Sequence, residues 1–265
     1  MATTCPLNFD SQYLRDQIRS TYEQVARDPD GAYHFHRGPD YAQDYLGYDR
    51  EELAALPTLS TARFAGVGNP LAIGPLAAGE IVLDHACGAG TDLLLAARRV
   101  GPNGHAIGVD MTPAMVDCAD RAARQAGLAD RVTLHQGFYE NLPVADSSVD
   151  VVISNGVLNL APDKRRVLNE VFRVLKPGGR LYLADVVVQR ELTEQARGNP
   201  DLWAACVAGA LVESELGMLA AEAGLHDGKV VRRFNCFYDT TAESKVAKDL
   251  FIQSVNFLAR KGGVS

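Results

Sequence analysis

The chain is organised around the stretch IVLDHACGAGTD, residues 81–92. A short apolar run ends in Asp84, a turn with Gly88 and Gly90 follows, and residues 93–99, LLLAARR, have the composition of a helix. Strand, turn and helix in this order open a βαβ unit. Glycines let a ligand approach the backbone closely, and the first turn of a helix offers free N–H groups. The stretch therefore predicts a ligand-binding turn at the start of an α/β domain.

A second acid suggests what this ligand carries. Asp110 ends the apolar run AIGVD and follows Gly90 by 20 residues, which is the placement of an acid that binds a ribose diol. The third glycine of the dinucleotide pattern G-x-G-x-x-G would fall at Leu93. Asp84, at the start of the turn, would also repel a pyrophosphate. A ligand with a ribose and a positive charge fits better, and S-adenosylmethionine has both.

The composition is typical of a globular protein without a nucleic-acid or membrane partner. Of 265 residues, 47% are hydrophobic and 22% are charged, and the net charge is −7. This charge disfavours nucleic acid, because phosphate neutralisation needs a basic face. No apolar run approaches the roughly 20 residues of a membrane span, and the first residues lack a signal segment. We expect a cytoplasmic protein, monomeric or homodimeric, that acts on a small molecule.

The cysteines indicate neither a zinc site nor a disulfide framework. The five stand at irregular spacing, without a C-x-x-C pair: Cys5, Cys87, Cys118, Cys206 and Cys236. We therefore expect no bound metal.

From residue 80 onwards strand and helix signals alternate, which predicts an α/β fold with a central, mostly parallel sheet and helices on both faces. Seven strands are predicted, at 81–84, 106–110, 132–135, 149–154, 181–188, 229–237 and 254–260. Helices are predicted at 93–99, 112–126, 164–175 and 213–223, with a helical insertion at about 191–211. Residues 1–75, with helices at 9–28, 41–46 and 49–56, form a predicted N-terminal lid over a ligand-binding domain at 76–265.

Five motifs stand in the order seen in class I S-adenosylmethionine-dependent methyltransferases. They are DHACGAG (84–90), VDM (109–111), ENLP (140–143), DVVISN (150–155) and RVLKPGG (173–179). Three further stretches resemble the arsenite methyltransferase branch: GVGNP (66–70), SNGVLNLAPDK (154–164) and LWAACVAGA (202–210). The resemblance implies a Rossmann-like fold, S-adenosylmethionine as cofactor and methyl transfer to a small-molecule acceptor.

The same resemblance implies a set of cofactor-binding residues. They are Asp84, Ala86, Cys87, Gly88, Gly90, Asp92, Asp110, Met111, Gly137, Phe138, Tyr139, Asn155 and Gly156. Two of them depart from the family pattern. Ala86 replaces the first glycine of the Asp-x-Gly-x-Gly turn, and Phe138 stands where an acid usually binds the adenine amine. These changes leave open an enzyme that transfers or cyclises the aminocarboxypropyl arm of the cofactor.

The arsenite methyltransferase pattern is also incomplete. Where that branch usually has three cysteines, this chain has Val67, Gly156 and Cys206. A single thiol cannot chelate trivalent arsenic, which needs several converging thiolates. Unless Cys5, Cys118 or Cys236 substitutes, the pattern argues against arsenite. It favours a different small-molecule acceptor, such as a natural product or another specialised metabolite.

Candidate catalytic groups lie in two places. In the N-terminal patch YHFHR, residues 33–37, His34 and His36 share a face if the segment is extended. We predict that this patch covers the cofactor and that His34 helps to bind the acceptor. Tyr33 and His36 are candidate catalytic residues, with His36 accepting a proton if one must leave. His34 and His36 can instead bind a metal or be hydrogen-bonded packing residues.

The second place follows the fourth strand and includes the insertion. Asn159 is a candidate catalytic residue there, because it follows the strand at the carboxyl edge of the sheet. Trp203 and Cys206 are candidate acceptor-binding residues. Trp203 can equally be a core residue, and for Cys206 the sequence favours core filling over an acceptor-site role.

Overall fold

One sheet with helices on both faces organises the molecule. A computed structural model describes residues 4–5, 10–199, 202–203, 206–238, 240 and 251–263. The strands are β1 Ile81–His85, β2 His105–Asp110, β3 Val132–Gln136, β4 Val149–Asn155, β5 Leu175–Val188, β6 Leu211–Val212, β7 Leu225–Phe234 and β8 Gln253–Lys261. Their order is β3-β2-β1-β4-β5-β8-β7, with the short β6 beside the end of β5. Strands β1 to β6 are parallel, and β8 is antiparallel to both of its neighbours.

The helices of the described residues fall into an N-terminal group and a group that alternates with the strands. The first group is α1 Ser11–Arg27, α2 Gly38–Asp44, α3 Arg50–Ala54 and α4 Thr58–Thr61. The second is α5 Thr91–Arg99, α6 Pro113–Gln125, α7 Lys164–Val174, α8 Glu194–Arg197 and α9 Glu213–Glu222. None of these helices is long and apolar enough to cross a bilayer. The alternation of strands and helices confirms the predicted α/β class.

Two apolar clusters cover the two faces of the sheet. Side chains alternate along a strand, so successive residues of β1 and β4 point to opposite faces. Leu83 and Val152 pack with residues of α7 and α9. Their neighbours Val82 and Val151 pack with residues of α5, α6 and the N-terminal helices. The continuous apolar runs of β1 and β4 are thus explained, because both strands are buried on two sides.

Helix α1 covers the carboxyl edge of the sheet. It begins after Asp10, whose side chain caps it by accepting a hydrogen bond from the backbone N–H of Tyr13 at 2.9 Å. Leu14 and Ile18 pack on Met111 and Leu160, which follow β2 and β4. The last turn packs against α6 and the glycine turn after β1. The apolar stripe of α1 therefore fixes it across the strand ends, where we expected a lid.

The predicted boundary between an N-terminal segment and the sheet domain is less distinct in the structure. Tyr41, Leu46 and Leu53 are buried in the same cluster as Val82 of β1. The two parts therefore share one core, and a boundary near residue 75 stays a prediction.

Two predicted elements differ from the structure. β5 begins at Leu175 instead of 181, because the KPGG run forms a bulge within the strand. Leu175 pairs with Val149, and the pairing resumes at Arg180. The insertion at 191–211 is helical only at α8 and residues 202–203, and residues 200–201 and 204–205 lie outside the described residues. The eighth strand, β6, has two residues and no sequence signal of its own.

Candidate active site

The turn between β1 and α5 has three residues in the left-handed backbone region. Their φ angles are 64° at Ala86, 51° at Gly88 and 87° at Gly90. Glycine adopts these angles without strain, whereas alanine does not. Gly90 also packs tightly, since a Cβ there would lie 3.1 Å from the Cβ of Ala119 in α6. Ala86 therefore carries strain at the position where the family pattern has glycine.

A cavity opens at this turn, where the carboxyl ends of β1, β2 and β4 meet. Its empty volume is about 860 Å³, a figure that includes open space at its mouth. Eleven of the thirteen predicted cofactor residues line it: Asp84, Ala86, Cys87, Gly88, Asp92, Asp110, Met111, Gly137, Tyr139, Asn155 and Gly156. Ile18, Tyr22, Arg63 and Phe64 of the N-terminal segment close it.

Two predicted cofactor residues do not line the cavity. Gly90 packs against α6, as described above. Phe138 is 40% exposed, and its ring lies 5.7 Å from the guanidinium carbon of Arg15 in α1. Phe138 therefore lies at the surface beside Arg15, outside the cavity lining, and its contact with adenine stays a prediction.

Three carboxylates make the cavity attractive to a cation. Asp84, Asp92 and Asp110 are 3%, 6% and 8% exposed. Burial, followed by repulsion from Asp92 and Asp110, holds the pKa of Asp84 well above its usual range. Oδ2 of Asp84 is buried and has no hydrogen-bond partner among the described residues. A positively charged ligand would relieve both costs, so this donor set fits the sulfonium and ammonium groups of S-adenosylmethionine.

Asp110 is held in place by the glycine turn. Its Oδ2 accepts a hydrogen bond from Gly88 N at 2.9 Å, and its Oδ1 accepts one from Thr112 N at 2.8 Å. Burial raises the pKa of Asp110, and these hydrogen bonds oppose the increase. Each carboxylate oxygen keeps a second lone pair for a ligand hydroxyl. The placement of Asp110 thus suits the ribose contact that we predicted.

A buried polar network fixes the wall opposite Asp110. Tyr48 Oη and Asn155 Nδ2 donate to the two carboxylate oxygens of Asp92 at 2.6 and 2.9 Å. Asn155 Oδ1 accepts from Val67 N at 2.8 Å. A Cβ at position 66 would lie 2.3 Å from Asn155 Nδ2, so the loop requires Gly66. Asn155 therefore joins the GVGNP loop to the end of β4.

Asn159 is turned away from the cavity. It is 1% exposed, and its Nδ2 donates to Asp185 of β5 at 2.8 Å. The same carboxylate accepts backbone N–H groups of Val157, Leu158 and Asn159 at 2.7–3.1 Å. Asn159 thus shapes the loop that carries Gly156, and the structure does not place it where a catalytic residue would touch a ligand.

The patch at residues 33–37 packs against α1 and α2. The His36 ring stacks on Tyr41 at 4.8 Å, and its Nε2 lies 2.6 Å from the carbonyl oxygen of Tyr238. The Tyr33 ring lies under the Arg37 guanidinium, and its hydroxyl donates to Asp28 O. His34 meets Phe35 edge-on, and Phe35 stacks on Tyr22.

None of residues 33–37 lines the cavity. The prediction that this patch covers the cavity is therefore corrected: Ile18 and Tyr22 of α1 line the cavity, and Tyr33 and Phe35 pack against α1.

Trp203 is a core residue in this arrangement. It is 0% exposed, its Nε1 donates to Arg197 O at 2.7 Å, and it packs with Leu14 and Leu160. It does not line the cavity. Of the two readings of Trp203, the structure favours core packing over an acceptor-pocket wall.

The three positions of the arsenite methyltransferase cysteines converge. A Cβ at position 156 would lie 3.3 Å from Cγ1 of Val67. Val67 and Cys206 pack against one apolar cluster, which also contains Cys236. Burial raises the pKa of both thiols, that of Cys236 to about 12. Cys206 and Cys236 are therefore neutral thiols on one cluster, whereas Cys118 belongs to another.

Sequence reasoning missed four residues that shape the site. Tyr22 and Arg63 line the cavity, and Tyr48 and Asp185 hold its walls. Only Asp185 had a usable signal, since it is an acid near the carboxyl end of a buried strand. The other three reach the site through packing of the N-terminal helices, which no local pattern reports.

Comparisons with known proteins agree with this geometry. A family model described as a methyltransferase domain matches residues 76–224, more than half of the chain. An arsenite methyltransferase from Halobacterium salinarum is 45% identical over 179 residues, covering 68% of this chain and 45% of that protein. A demethylmenaquinone methyltransferase from Lactobacillus johnsonii is 40% identical over 108 residues, covering 41% of this chain and 44% of that protein. The chain spans about half the length of the curated relatives it matches.

A solved structure extends the similarity. The arsenic(III) S-adenosylmethionine methyltransferase from Chlamydomonas reinhardtii is 36% identical, with a TM-score of 0.68, and the match covers 81% of this chain and 73% of that chain. Fold, acidic cavity and sequence similarity agree. The chain therefore belongs to the class I S-adenosylmethionine-dependent methyltransferases, close to the arsenite methyltransferase branch.

Proposed function

We propose that the protein transfers a methyl group from S-adenosylmethionine to a small-molecule acceptor. The observation that carries the proposal is the cavity with Asp84, Asp92 and Asp110 at the strand ends. When bound, the cofactor supplies a methyl group already activated by its sulfonium. Asp110 would hold the ribose hydroxyls, and Asp84 would hold the ammonium group. The protein itself would then need only to align the acceptor with the methyl group and to exclude water.

The titratable groups of the cavity indicate what kind of acceptor it takes. Burial raises the pKa of Tyr22 and Tyr139 and that of Cys87, so all three stay protonated at neutral pH and cannot accept a proton. Asp84 and Asp110 are assigned to the cofactor, and both carboxylate oxygens of Asp92 accept hydrogen bonds from Tyr48 and Asn155. His36 lies outside the cavity. We infer an acceptor whose attacking atom needs no side-chain base, such as a thiolate or an electron-rich carbon of a specialised metabolite.

A trivalent arsenical is the second candidate. Relatives named arsenite methyltransferase, at 36–45% identity, favour it, and trivalent arsenic also attacks without a base. Val67 and Gly156 oppose it, because they remove two of three converging thiols. Cys206 and Cys236 would have to bind the arsenic together as thiolates. Burial raises the pKa of both thiols, so their deprotonation at neutral pH is unfavourable.

Product analysis decides between these functions. The protein is incubated with S-adenosylmethionine and an acceptor panel of thiols, phenols, isoprenoids and arsenite with glutathione. We expect S-adenosylhomocysteine and a methylated organic product, identified by mass spectrometry. Methylthioadenosine as the by-product would instead show transfer of the aminocarboxypropyl arm. Methylated arsenicals formed at an enzymatic rate, and abolished by Cys206→Ser, would establish the second candidate.

A further inference from the structure

Two buried acids of the cavity form a pair without a cation. Asp84 lies in β1 and Asp92 in the first turn of α5, and both line the cavity. They are 3% and 6% exposed. Among the described residues, no lysine, arginine or histidine forms an ion pair with either acid. Two buried carboxylates that repel each other favour a state in which one of them is protonated.

Hydrogen bonding distinguishes the two acids. Tyr48 Oη and Asn155 Nδ2 donate to the two carboxylate oxygens of Asp92 at 2.6 and 2.9 Å. Burial raises the pKa of Asp92, but these two hydrogen bonds oppose the increase. Oδ2 of Asp84 is buried and has no partner among the described residues, and burial and then repulsion from Asp92 raise its pKa. The proton of the pair therefore belongs on Asp84, with Asp92 ionised.

The neighbouring acids and neutral groups do not compensate the charge of the pair. Asp110 adds to the repulsion at Asp84. Burial raises the pKa of a thiol and three hydroxyls around the pair, so all four groups stay neutral at neutral pH. They belong to Cys87, Tyr22, Tyr48 and Tyr139.

Two cations come near the pair, and both have other partners. Arg63 lines the cavity, but its Nε and Nη1 donate to two backbone carbonyl oxygens at 2.8 and 3.0 Å. Arg99 lowers the pKa of Asp92 and forms an ion pair with Glu52 at 2.6 Å. Positive charge supplied by a ligand would therefore decide whether the pair keeps its proton.

We propose that Asp84 and Asp92 exchange one proton for the positive charge of the cofactor, and thereby distinguish S-adenosylmethionine from its product. In the empty cavity Asp84 holds the proton. On binding of S-adenosylmethionine, Asp84 gives this proton to the solvent, so both acids are ionised beside a cation. Methyl transfer to the acceptor leaves the neutral thioether of S-adenosylhomocysteine, and Asp84 takes a proton back from the solvent. The inference rests on the function proposed above.

This exchange makes the affinities for the two forms of the cofactor depend differently on pH. Below the pH at which the empty pair loses its proton, release of one proton should strengthen S-adenosylmethionine binding by about tenfold per unit of rising pH. Above that pH the affinity should level off. S-adenosylhomocysteine keeps the ammonium but lacks the sulfonium, so its affinity should rise less steeply. The preference for S-adenosylmethionine over the product should therefore increase with pH in the first range.

Calorimetry in buffers of different ionisation enthalpy counts the released protons. The ligands are S-adenosylmethionine, S-adenosylhomocysteine and methylthioadenosine, which carry both positive charges, the ammonium alone, and neither. Measurement from about pH 5 to 7 keeps the ammonium groups protonated, since α-amino groups titrate near 8. At the lower end of this range we expect release of about one proton with S-adenosylmethionine, clearly less with S-adenosylhomocysteine and none with methylthioadenosine.

Substitutions assign the proton to the pair. Asp84→Asn should abolish the release. Asp92→Asn removes the repulsion and should shift the pH profile of proton release to lower pH. Tyr48→Phe removes a donor that stabilises ionised Asp92, so it should shift the profile to higher pH. Asp150→Asn is the matched control, because this acid pairs with Lys176 outside the cavity lining, and it should leave the profile unchanged.

Three results would overturn the proposal. Binding of S-adenosylmethionine without proton release throughout the pH range would show that the empty pair is already ionised. Equal release with S-adenosylmethionine and S-adenosylhomocysteine would show that the pair does not distinguish substrate from product. Undiminished release in folded Asp84→Asn would assign the proton to another group. If the folded wild-type protein bound none of the three ligands, the cofactor role of the cavity itself would fail, which separates the two proposals.

Discussion

At the scale of single residues, backbone conformation was easier to predict than side-chain partners. The turn after β1 was predictable because Gly88 and Gly90 both need the left-handed region, which their identity reports directly. The strain at Ala86 followed from the same pattern. Tyr22 and Arg63 could not be predicted, because their place in the cavity depends on how α1 and α4 pack against β1, over 50 residues away in sequence for Tyr22.

Asp110 provides the residue-scale prediction. Asp110→Ala should weaken S-adenosylhomocysteine binding by about 1.5–3 kcal/mol, because a charge-assisted contact to the ribose is lost. Calorimetry measures the loss. Asp110 also accepts hydrogen bonds from Gly88 N and Thr112 N, so Asp110→Asn, which keeps one acceptor oxygen, is measured beside it. If both variants fold and bind S-adenosylhomocysteine as tightly as the wild type, Asp110 does not hold the ribose.

At the scale of elements, the N-terminal segment borders the cavity, but through residues other than those at 33–37. The density of aromatic and titratable residues at 33–37 suggested a cover, whereas the apolar stripe of α1 forms one. Burial explains the difference. Removing the apolar side chains of Leu14 and Ile18 from water at the strand ends stabilises the fold, whereas the ring of His36 stacks on that of Tyr41. Composition shows where reactive groups are dense, not which face they present.

A pair of substitutions separates the two covers. Tyr22→Ala opens the cavity wall, so it should lower turnover by at least about tenfold through water entry and loss of alignment. His36→Ala removes a stacked ring and a contact to the carbonyl of Tyr238. It should cost about 1 kcal/mol of stability and leave turnover nearly unchanged. Steady-state rates on the identified acceptor, with urea unfolding of each variant, give both quantities.

The reverse ranking, with His36→Ala the slower enzyme at unchanged S-adenosylhomocysteine affinity, would restore His36 as a catalytic residue. It would require the patch at 33–37 to move over the cavity during turnover.

At the scale of the whole molecule, the central part of the sheet was predictable, and one buried charge was not. Parallel connections place β1 between β2 and β4, so the strand ends that carry Asp84, Asp110 and Asn155 had to meet. Lys164 begins α7 and reads as a solvated residue, yet it is 0% exposed. Its Nζ donates to Ala161 O at 3.0 Å and lies 4.6 Å from the Trp203 ring. The insertion closes over it, which α7 alone does not predict.

Lys164 makes global stability depend on pH. Burial lowers its folded-state pKa to about 7, below the unfolded value near 10.4. Between these values only the unfolded chain binds the proton, so the free energy of unfolding should rise with pH, by up to about 1.4 kcal/mol per unit. The full destabilisation is present below the folded-state pKa. Urea unfolding at several pH values from 7 to 9.5 measures the slope.

In Lys164→Met, the contribution of Lys164 to the slope of the unfolding free energy against pH should disappear. The control is Lys176→Met, which removes the ion-pair partner of Asp150 and should keep the slope of the wild type. Cysteines and tyrosines also ionise in this pH range, but they are the same in the wild type and in both variants. Their contribution therefore cancels when the slope of each variant is compared with that of the wild type. Parallel curves for the wild type and Lys164→Met would mean that the lysine stays charged in the folded state.

The position of β8 has a consequence for synthesis on the ribosome. Within the described residues β7 pairs only with β8, and β8 also pairs with β5 from Arg180 to Val187. β5 is translated by residue 188 and β8 by residue 261, which are separated by about 4–15 seconds at usual elongation rates of about 5–20 residues per second. During that interval the nascent chain displays an apolar strand with open backbone hydrogen-bonding groups. Newly made copies on neighbouring ribosomes can pair there, so yield in a heterologous host should depend on chaperones that bind nascent chains.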